Sequence, residues 1–336
     1  MPEPASRLTS VMQSIGVLTS GGDAPGMNAA IRAAARASVG SGIRVFGIRN
    51  GFDGLLRGDI HRLQGRSVTG IIQRGGTVLG TSRSASFETP EGRSRAAAQL
   101  RTSGIDGLIA IGGEGTIRAC RALWEEQGFP AVVVPATIDN DVPGTDFAIG
   151  FDTAVHAAVD AMDRIRDTAD SSGMVFFVEV MGRERGFVAL YAGLSGGADA
   201  ILIPEEHDDI DHLCRRLTSG HRSGKRSLLV VVAEGDEAGG AFSVAEQVKT
   251  QLGERLRLDY RVTILGHVQR GGIPSPSDRV LGTVLGAAAV EGLQQDKTHH
   301  LVGEIGADVV FTPLDEVVLM RKELPPELLR LLHTVG

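Results

Sequence analysis

Two short loops hold residues whose types and spacing suit phosphoryl transfer. Ile111-Gly112-Gly113-Glu114-Gly115-Thr116 follows the apolar run Gly107–Ile111 and opens a helical segment. Its glycines let backbone N–H groups approach phosphate oxygens at the positive end of that helix, and Glu114 offers an oxygen ligand to a nucleotide-bound Mg²⁺. Thr137-Ile138-Asp139-Asn140-Asp141 follows the apolar run Ala131–Pro135 and supplies two carboxylates two residues apart, with a hydroxyl beside them. One acid serving as base next to phosphate-binding groups suits such a reaction. A further glycine loop, Thr19 to Gly26, contains Gly21, Gly22 and Asp23. Each loop alone has a plainer explanation: Gly21-Gly22-Asp23 as a tight turn before a helix at Met27, Asp139 and Asp141 as Asx turns. Together they favour a phosphate site.

Strands must hold these loops. Ile15–Leu18 reads as a strand, Met27 to Ala37 as an alanine-rich helix and Arg44–Ile48 as the next strand. Further strands are expected at Gly107–Ile111, Ala131–Val134, Val175–Val180, Ala200–Ile203, Ser227–Ala233 and Val262–Leu265. Continuous Val, Ile and Leu runs alternating with helices predict parallel sheet covered on both faces. The strands are too many for one small sheet, so two α/β domains are expected, with a helix from about Thr153 to Thr168 crossing between them. Ligands in such sheets bind beyond the carboxyl ends of the strands. Gly21, Gly113, Asp139, Met181-Gly182-Arg183, Glu234 and His267–Gly272 all fall there.

Composition narrows the function class. The 336 residues are 42% hydrophobic and 22% charged, ordinary for a globular protein. The 45 glycines gather as Gly-Gly pairs in loops, in neither a collagen nor a linker pattern. A formal charge of -7 removes the overall attraction on which nucleic-acid binding rests. Cys120 and Cys214 lack metal-ligand spacing, so neither a zinc site nor a disulfide framework is implied. No run approaches the roughly 20 apolar residues of a membrane span. Met1–Gln13 is polar, without the apolar core of a secretion signal, and reads as a flexible lead-in. A cytoplasmic enzyme is expected, and His299-His300 is expected at the surface.

Taken in order, the motifs resemble those of the 6-phosphofructokinases, the ATP- and pyrophosphate-dependent family. The residues that carry the resemblance are Gly16–Asn28, Arg74-Gly75-Gly76-Thr77, Ile111–Thr116, Pro135–Asp141, Gly144-Thr145-Asp146, Gly150–Ala154, Val178–Arg183 and Leu265–Gly272. They span nearly the whole chain. The resemblance implies an α/β fold of two doubly wound, Rossmann-like parallel-sheet domains with the active site between them. A nucleotide-binding domain would take 14–149 with about 268–318, and a sugar-phosphate domain about 150–267 with 319–336. Asp139 would be the base at the sugar hydroxyl, Arg183 would orient and stabilise it, and Arg83 would neutralise the transferring phosphoryl beside Thr137. Gly21, Gly22, Arg83, Ser84, Gly113, Glu114, Gly115 and Thr116 match the ATP-binding stretch, with Glu114 on Mg²⁺. Thr137, Ile138, Asp139, Met181, Gly182, Arg183, Glu234, Arg261, His267, Val268, Gln269 and Arg270 match sugar-phosphate contacts. In the family a neighbouring subunit supplies some basic residues, so a homo-oligomer, a tetramer, is implied. Allosteric sites lie between subunits and vary; Arg32, Arg36, Arg215 and Lys225 are open candidates.

Three positions bear on the choice of donor and acceptor. Pyrophosphate users of the family carry Asp where this chain has Gly115 and Lys where it has Ala136, so ATP is the expected donor. An Asp at 115 would crowd and repel the nucleotide's α-phosphate. By alignment to Met181-Gly182-Arg183, Met174 stands where the family has an Arg that crosses the subunit boundary to the sugar 6-phosphate. A thioether cannot replace that bidentate contact, so weak affinity for fructose 6-phosphate, or another acceptor, is expected. Two alternatives follow: a pyrophosphate-dependent or other sugar-phosphate kinase, and a non-catalytic nucleotide-binding regulatory subunit.

Overall fold

Residues 12–206, 210–253 and 259–335 are described in the computed structural model. In chain order the strands are β1 (Ser14–Ser20), β2 (Arg44–Ile48), β3 (Ile60–Leu63), β4 (Gly107–Gly112), β5 (Ala131–Pro135), β6 (Met174–Val180), β7 (Ala200–Leu202), β8 (Leu228–Ala233), β9 (Asp259–Ile264), β10 (His300–Ile305) and β11 (Asp308–Pro313). The helices are α1 (Met27–Gly40), α2 (Gly51–Arg57), α3 (Pro90–Thr102), α4 (Glu114–Gln127), α5 (Phe151–Ser172), α6 (Phe187–Ser195), α7 (Ile210–Arg222), α8 (Gly240–Leu252), α9 (Pro276–Gln294), α10 (Leu314–Val317) and α11 (Pro326–Val335).

The strands form a seven-stranded sheet, ordered β11-β10-β5-β4-β1-β2-β3, and a four-stranded sheet, ordered β7-β8-β6-β9. The smaller sheet is parallel throughout. In the larger, β1, β2, β4, β5 and β10 run parallel, while β3 and β11 add antiparallel edges. The α/β reading therefore holds, with two edge strands that the apolar runs did not signal. β1, β4, β5 and β8 are buried at every position, as strands covered on both faces must be.

Helices supply that cover. Ile31 and Ala34 of α1 and Leu285 and Ala289 of α9 fill one face of the larger sheet; Ala96 and Leu100 of α3 and Ile117 and Leu123 of α4 fill the other. Each such leucine or isoleucine contributes about 1.5–3 kcal/mol on burial. Around the smaller sheet, Met162 of α5, Leu190 of α6 and Leu332 of α11 pack on one side, and Leu217 of α7 and Val244 of α8 on the other.

α5 is the expected crossing helix, longer than its apolar spacing suggested. The Asp278 carboxylate, in the first turn of α9, accepts from Gly150 N (2.7 Å), Thr153 N (2.8 Å) and the Thr153 hydroxyl. It thereby satisfies the otherwise orphaned N–H groups at the start of α5.

Two expectations need correction. Residues 1–11 lie outside the described residues, but Met12 packs against the core and Gln13 N donates to Asp106 Oδ2 (2.9 Å), so these two do not belong to a flexible lead-in. His299 is buried, not at the surface: it stacks on Trp124 with 5.5 Å between ring centroids, and its Nε2 lies 3.0 Å from Asp315 Oδ2. The hairpin that follows draws it inward.

Candidate active site

The carboxyl ends of β1, β4 and β5 open onto one cleft of about 470 Å³. Gly21, Gly22, Arg83, Ser84, Gly113, Glu114, Gly115, Thr116, Thr137, Asp139, Arg183 and Arg270 all line it. It is walled further by Phe52 and Phe87, stacked with 4.0 Å between centroids, and by Glu88, Arg118, Ala119 and Asp141.

The loop that carries Arg83 has no strand or helix of its own between Thr69 and Thr89, so side chains and turns hold it. Asn28 of α1 donates to Arg74 O (2.9 Å) and accepts from Val78 N (2.8 Å). The Thr81 hydroxyl donates to Gly21 O (2.8 Å), and Gly21 N donates to Ser82 O (3.4 Å). These bonds set Arg83 beside the Gly21-Gly22 turn.

Two glycines serve different ends. A Cβ on Gly22 would stand 2.6 Å from Arg270 Nη1, so the bare backbone makes room for a guanidinium that also donates to Asp23 O (3.1 Å). At Gly115 a Cβ would meet nothing within 4 Å: the position faces open cleft at the second residue of α4. The Thr116 hydroxyl is buried and donates to Ser20 O (3.4 Å), tying α4 to the end of β1.

Asp139 lies at the centre. It is 2% exposed; its Oδ2 is 3.5 Å from Arg183 Nε, and its Oδ1 is buried without a hydrogen-bond partner. Its backbone N donates to Thr137 Oγ1 (3.2 Å). Burial, then the charge of Asp141, raises its pKa above the usual carboxylate range, while Arg183 and Arg270 pull it back. A raised, orphaned carboxylate is a competent acceptor for a hydroxyl proton. Burial likewise raises Asp141, helped by the charge of Glu114.

Arg183 owes its place to Glu234. It has φ 53°, in the left-handed region that a non-glycine residue adopts at some cost. Glu234 Oε1 holds the turn, accepting from Gly182 N (3.2 Å) and Arg183 N (2.7 Å). Gln269, fully buried, accepts from Met181 N (3.4 Å). Glu234 and Gln269 therefore position the Met181-Gly182-Arg183 turn.

Other expected contacts lie off the cleft. The Ile138 side chain is buried in the larger sheet's core, which leaves only its backbone for a ligand, and Met181 is 9% exposed in the same core. His267 and Val268 are exposed on the 3-10 turn Gly266–Arg270. Arg261 is on β9, the edge of the smaller sheet, paired with Asp259 at 2.9 Å. Met174 opens β6, about 20 Å along the strand from Val180 at ~3.3 Å per residue. Neither Met174 nor Arg261 lines its own chain's cleft.

Comparison with known proteins assigns the scaffold. The phosphofructokinase family model matches residues 14–293. The chain belongs to the phosphofructokinase family. It is 53% identical over 320 residues to ATP-dependent 6-phosphofructokinase 1 of Thermus thermophilus, covering 95% of this chain and 98% of that one. The structure of phosphofructokinase from Saccharomyces cerevisiae superposes with a TM-score of 0.84 at 37% identity over 91% of this chain; this chain spans 45% of that one. A pyrophosphate-dependent phosphofructokinase from Nitrosospira multiformis aligns with a TM-score of 0.82 at 26% identity, over 94% of this chain and 86% of that one.

Arg118, Phe52 and Phe87 were not singled out from sequence. The spacing of Glu114 and Arg118, four apart on one helix, is the signal that was available; the two paired in the structure form an ion pair. The phenylalanines gave none, since apolar residues at that spacing read as core.

Proposed function

We infer that this phosphofructokinase transfers the terminal phosphoryl group of ATP to the 1-hydroxyl of fructose 6-phosphate, giving fructose 1,6-bisphosphate, with Asp139 as the base. The observation that carries this is the unpartnered, buried Asp139 Oδ1 in a cleft that also holds both glycine loops and four arginines, Arg83, Arg118, Arg183 and Arg270. Asp139 Oδ1 takes the hydroxyl proton as the sugar oxygen attacks the terminal phosphorus in line. Arg183 keeps Asp139 oriented through Oδ2, and Arg83 meets the charge spread over the transferring group. The N–H groups at the start of α4 and of the Gly21-Gly22 turn receive the donor's phosphates.

Mg²⁺ fits the acids present. Glu114 and Asp141 line one cleft and repel each other, and a divalent cation relieves that repulsion. When bound with the nucleotide, it neutralises charge on the phosphates. The nucleotide half is taken as 14–149 with about 268–318, and the sugar-phosphate half as about 150–267 with 319–336. The packing of α9 on the larger sheet and α11 on the smaller supports this division. Met174 at the start of β6 and Arg261 on the edge strand β9 do not line their own chain's cleft, which is consistent with a homotetramer with shared sites and room for allosteric control. The setting is cytoplasmic glycolysis; no described helix is long and apolar enough to cross a membrane.

The test is Asp139→Asn, assayed for fructose 1,6-bisphosphate formation. Loss of a general base lowers kcat by about 10²–10⁴-fold; a variant within tenfold of the parent would remove Asp139 from the role.

A further inference from the structure

Asn140, between the two acids of the base loop, has φ 51° and is 1% exposed. Asparagine adopts the left-handed region where its side chain finds local hydrogen bonds that fix it there. Its side chain shows what holds it. Oδ1 accepts from Ala148 N (2.8 Å) and from Lys322 Nζ (2.9 Å), and Nδ2 donates to Asp146 O (3.3 Å). Lys322 Nζ also donates to Asp146 O (2.8 Å), so lysine, amide and carbonyl form a closed ring.

Lys322 reaches this ring from the segment between α10 and α11, 182 residues along the chain from Asn140. Its ammonium also lies 5.4 Å from the ring centroid of Phe187, the first residue of α6. One cation thus touches the base loop of the larger sheet and a helix of the smaller. A cleft of about 500 Å³ beside it shares Asp141 and Arg183 with the active site.

We propose that Lys322 is a positioning residue for the reaction: its ammonium holds Asn140 in the left-handed conformation that presents Asp139 to the acceptor hydroxyl. The proposal rests on Asp139 being the base. Lysine suits the task because a compact ammonium on a flexible stem can donate to two acceptors at once.

The ring is charge-dependent. Asp146 and then Asp141 favour the ammonium and Arg185 disfavours it; on its own segment Arg321 and Glu323 pair with each other at 3.6 Å. Burial outweighs the acids and brings the Lys322 pKa down to about 8. Below that pH the ammonium is present and the ring is closed. Above it the lysine is neutral, and its hold on Asn140 and its attraction for Asp141 weaken.

The experiment combines two readouts on the full-length protein. The chain has four lysines, so ¹³Cε-lysine NMR with Lys322→Arg as the assigning variant follows its ionisation without any reference to activity. In parallel, kcat/KM, which reports free-enzyme ionisations, is measured from pH 5.5 to 10 for the parent, Lys322→Arg and Lys322→Met. The expected result is one lysine titrating near pH 8 and an alkaline fall in the parent's kcat/KM at the same pH. That fall moves to higher pH in Lys322→Arg. Lys322→Met loses about tenfold or more in kcat, as a small misplacement of a reacting group would cause, with ATP KM changed less. Four lysines all titrating near 10, or a parent profile flat from pH 7 to 9.5, overturns the proposal. So does a folded Lys322→Met, judged by its thermal midpoint, that keeps kcat within twofold and the alkaline limb in place. A parent that phosphorylates no fructose 6-phosphate overturns the proposed function instead, and the NMR titration still reports on Lys322.

Discussion

Replacing Gly115 by Asp separates donor selection from folding. A Cβ at 115 meets nothing within 4 Å, and the residue is the second of α4, where an acidic side chain is favoured by the helix dipole. Aspartate is also a better helix residue than glycine by roughly half a kcal/mol, so the substitution should leave the fold intact or stabilise it by about 0.5–1 kcal/mol. The carboxylate projects into the cleft beside Glu114. At about 5 Å from a bound α-phosphate and an effective dielectric of about 20, two unit charges repel by about 3 kcal/mol. That corresponds to a rise on the order of 100-fold in KM for ATP. Pyrophosphate, which has no third phosphate to place there, should suffer far less. The assay is steady-state kinetics with each donor, alongside a thermal melt. A Gly115→Asp enzyme whose ATP KM stays within threefold would refute the charge account of donor choice, and one that melts well below the parent would refute the reading of Gly115 as open space.

The remaining predictions concern the base, the acceptor and the crossing helix. Because burial raises the Asp139 pKa, kcat/KM should fall with decreasing pH through a value above the ordinary carboxylate range; a profile flat down to the usual Asp value would contradict this. The same shift means that the ionised carboxylate opposes folding at neutral pH, with stability lost as pH rises through the shifted value. Asp139→Asn should therefore melt higher, by about 0.5–2 kcal/mol, while inactive. Met174→Arg should lower KM for fructose 6-phosphate by tenfold or more, since a charge-assisted phosphate contact is worth about 1.5–3 kcal/mol; an unchanged KM would show that position 174 does not face the phosphate. Asp278→Ala removes three hydrogen bonds at the start of α5 and should destabilise the protein by about 2–4 kcal/mol in denaturant titration.

Local sequence carried the parts that local physics decides. The apolar runs at Gly107–Ile111 and Ala131–Val134 marked β4 and β5 within one residue because buried parallel strands are apolar throughout, and the loops after them had to fall at one sheet edge. Pairings between distant residues were not legible. The β10–β11 hairpin turns at Gly306-Ala307, both at positive φ, and alanine is an unexpected residue there, so the turn carried no signal. His299 reads as polar surface until that hairpin pairs with β5 and draws it under Trp124. Glu234 matched a sugar contact by motif, yet in this structure it anchors the backbone of Arg183, a role visible only once β6 and β8 lie side by side. Lys322 gave no sign at all, since nothing near it in sequence hints at Asn140.

The most direct test of the account is the initial rate of fructose 6-phosphate phosphorylation by the parent protein, with ATP and then with pyrophosphate, over a wide range of sugar concentration. The account predicts a rate with ATP alone that saturates only at high sugar phosphate, as an open Gly115 and a thioether at Met174 require. A rate with pyrophosphate alone, or with neither donor, would contradict it.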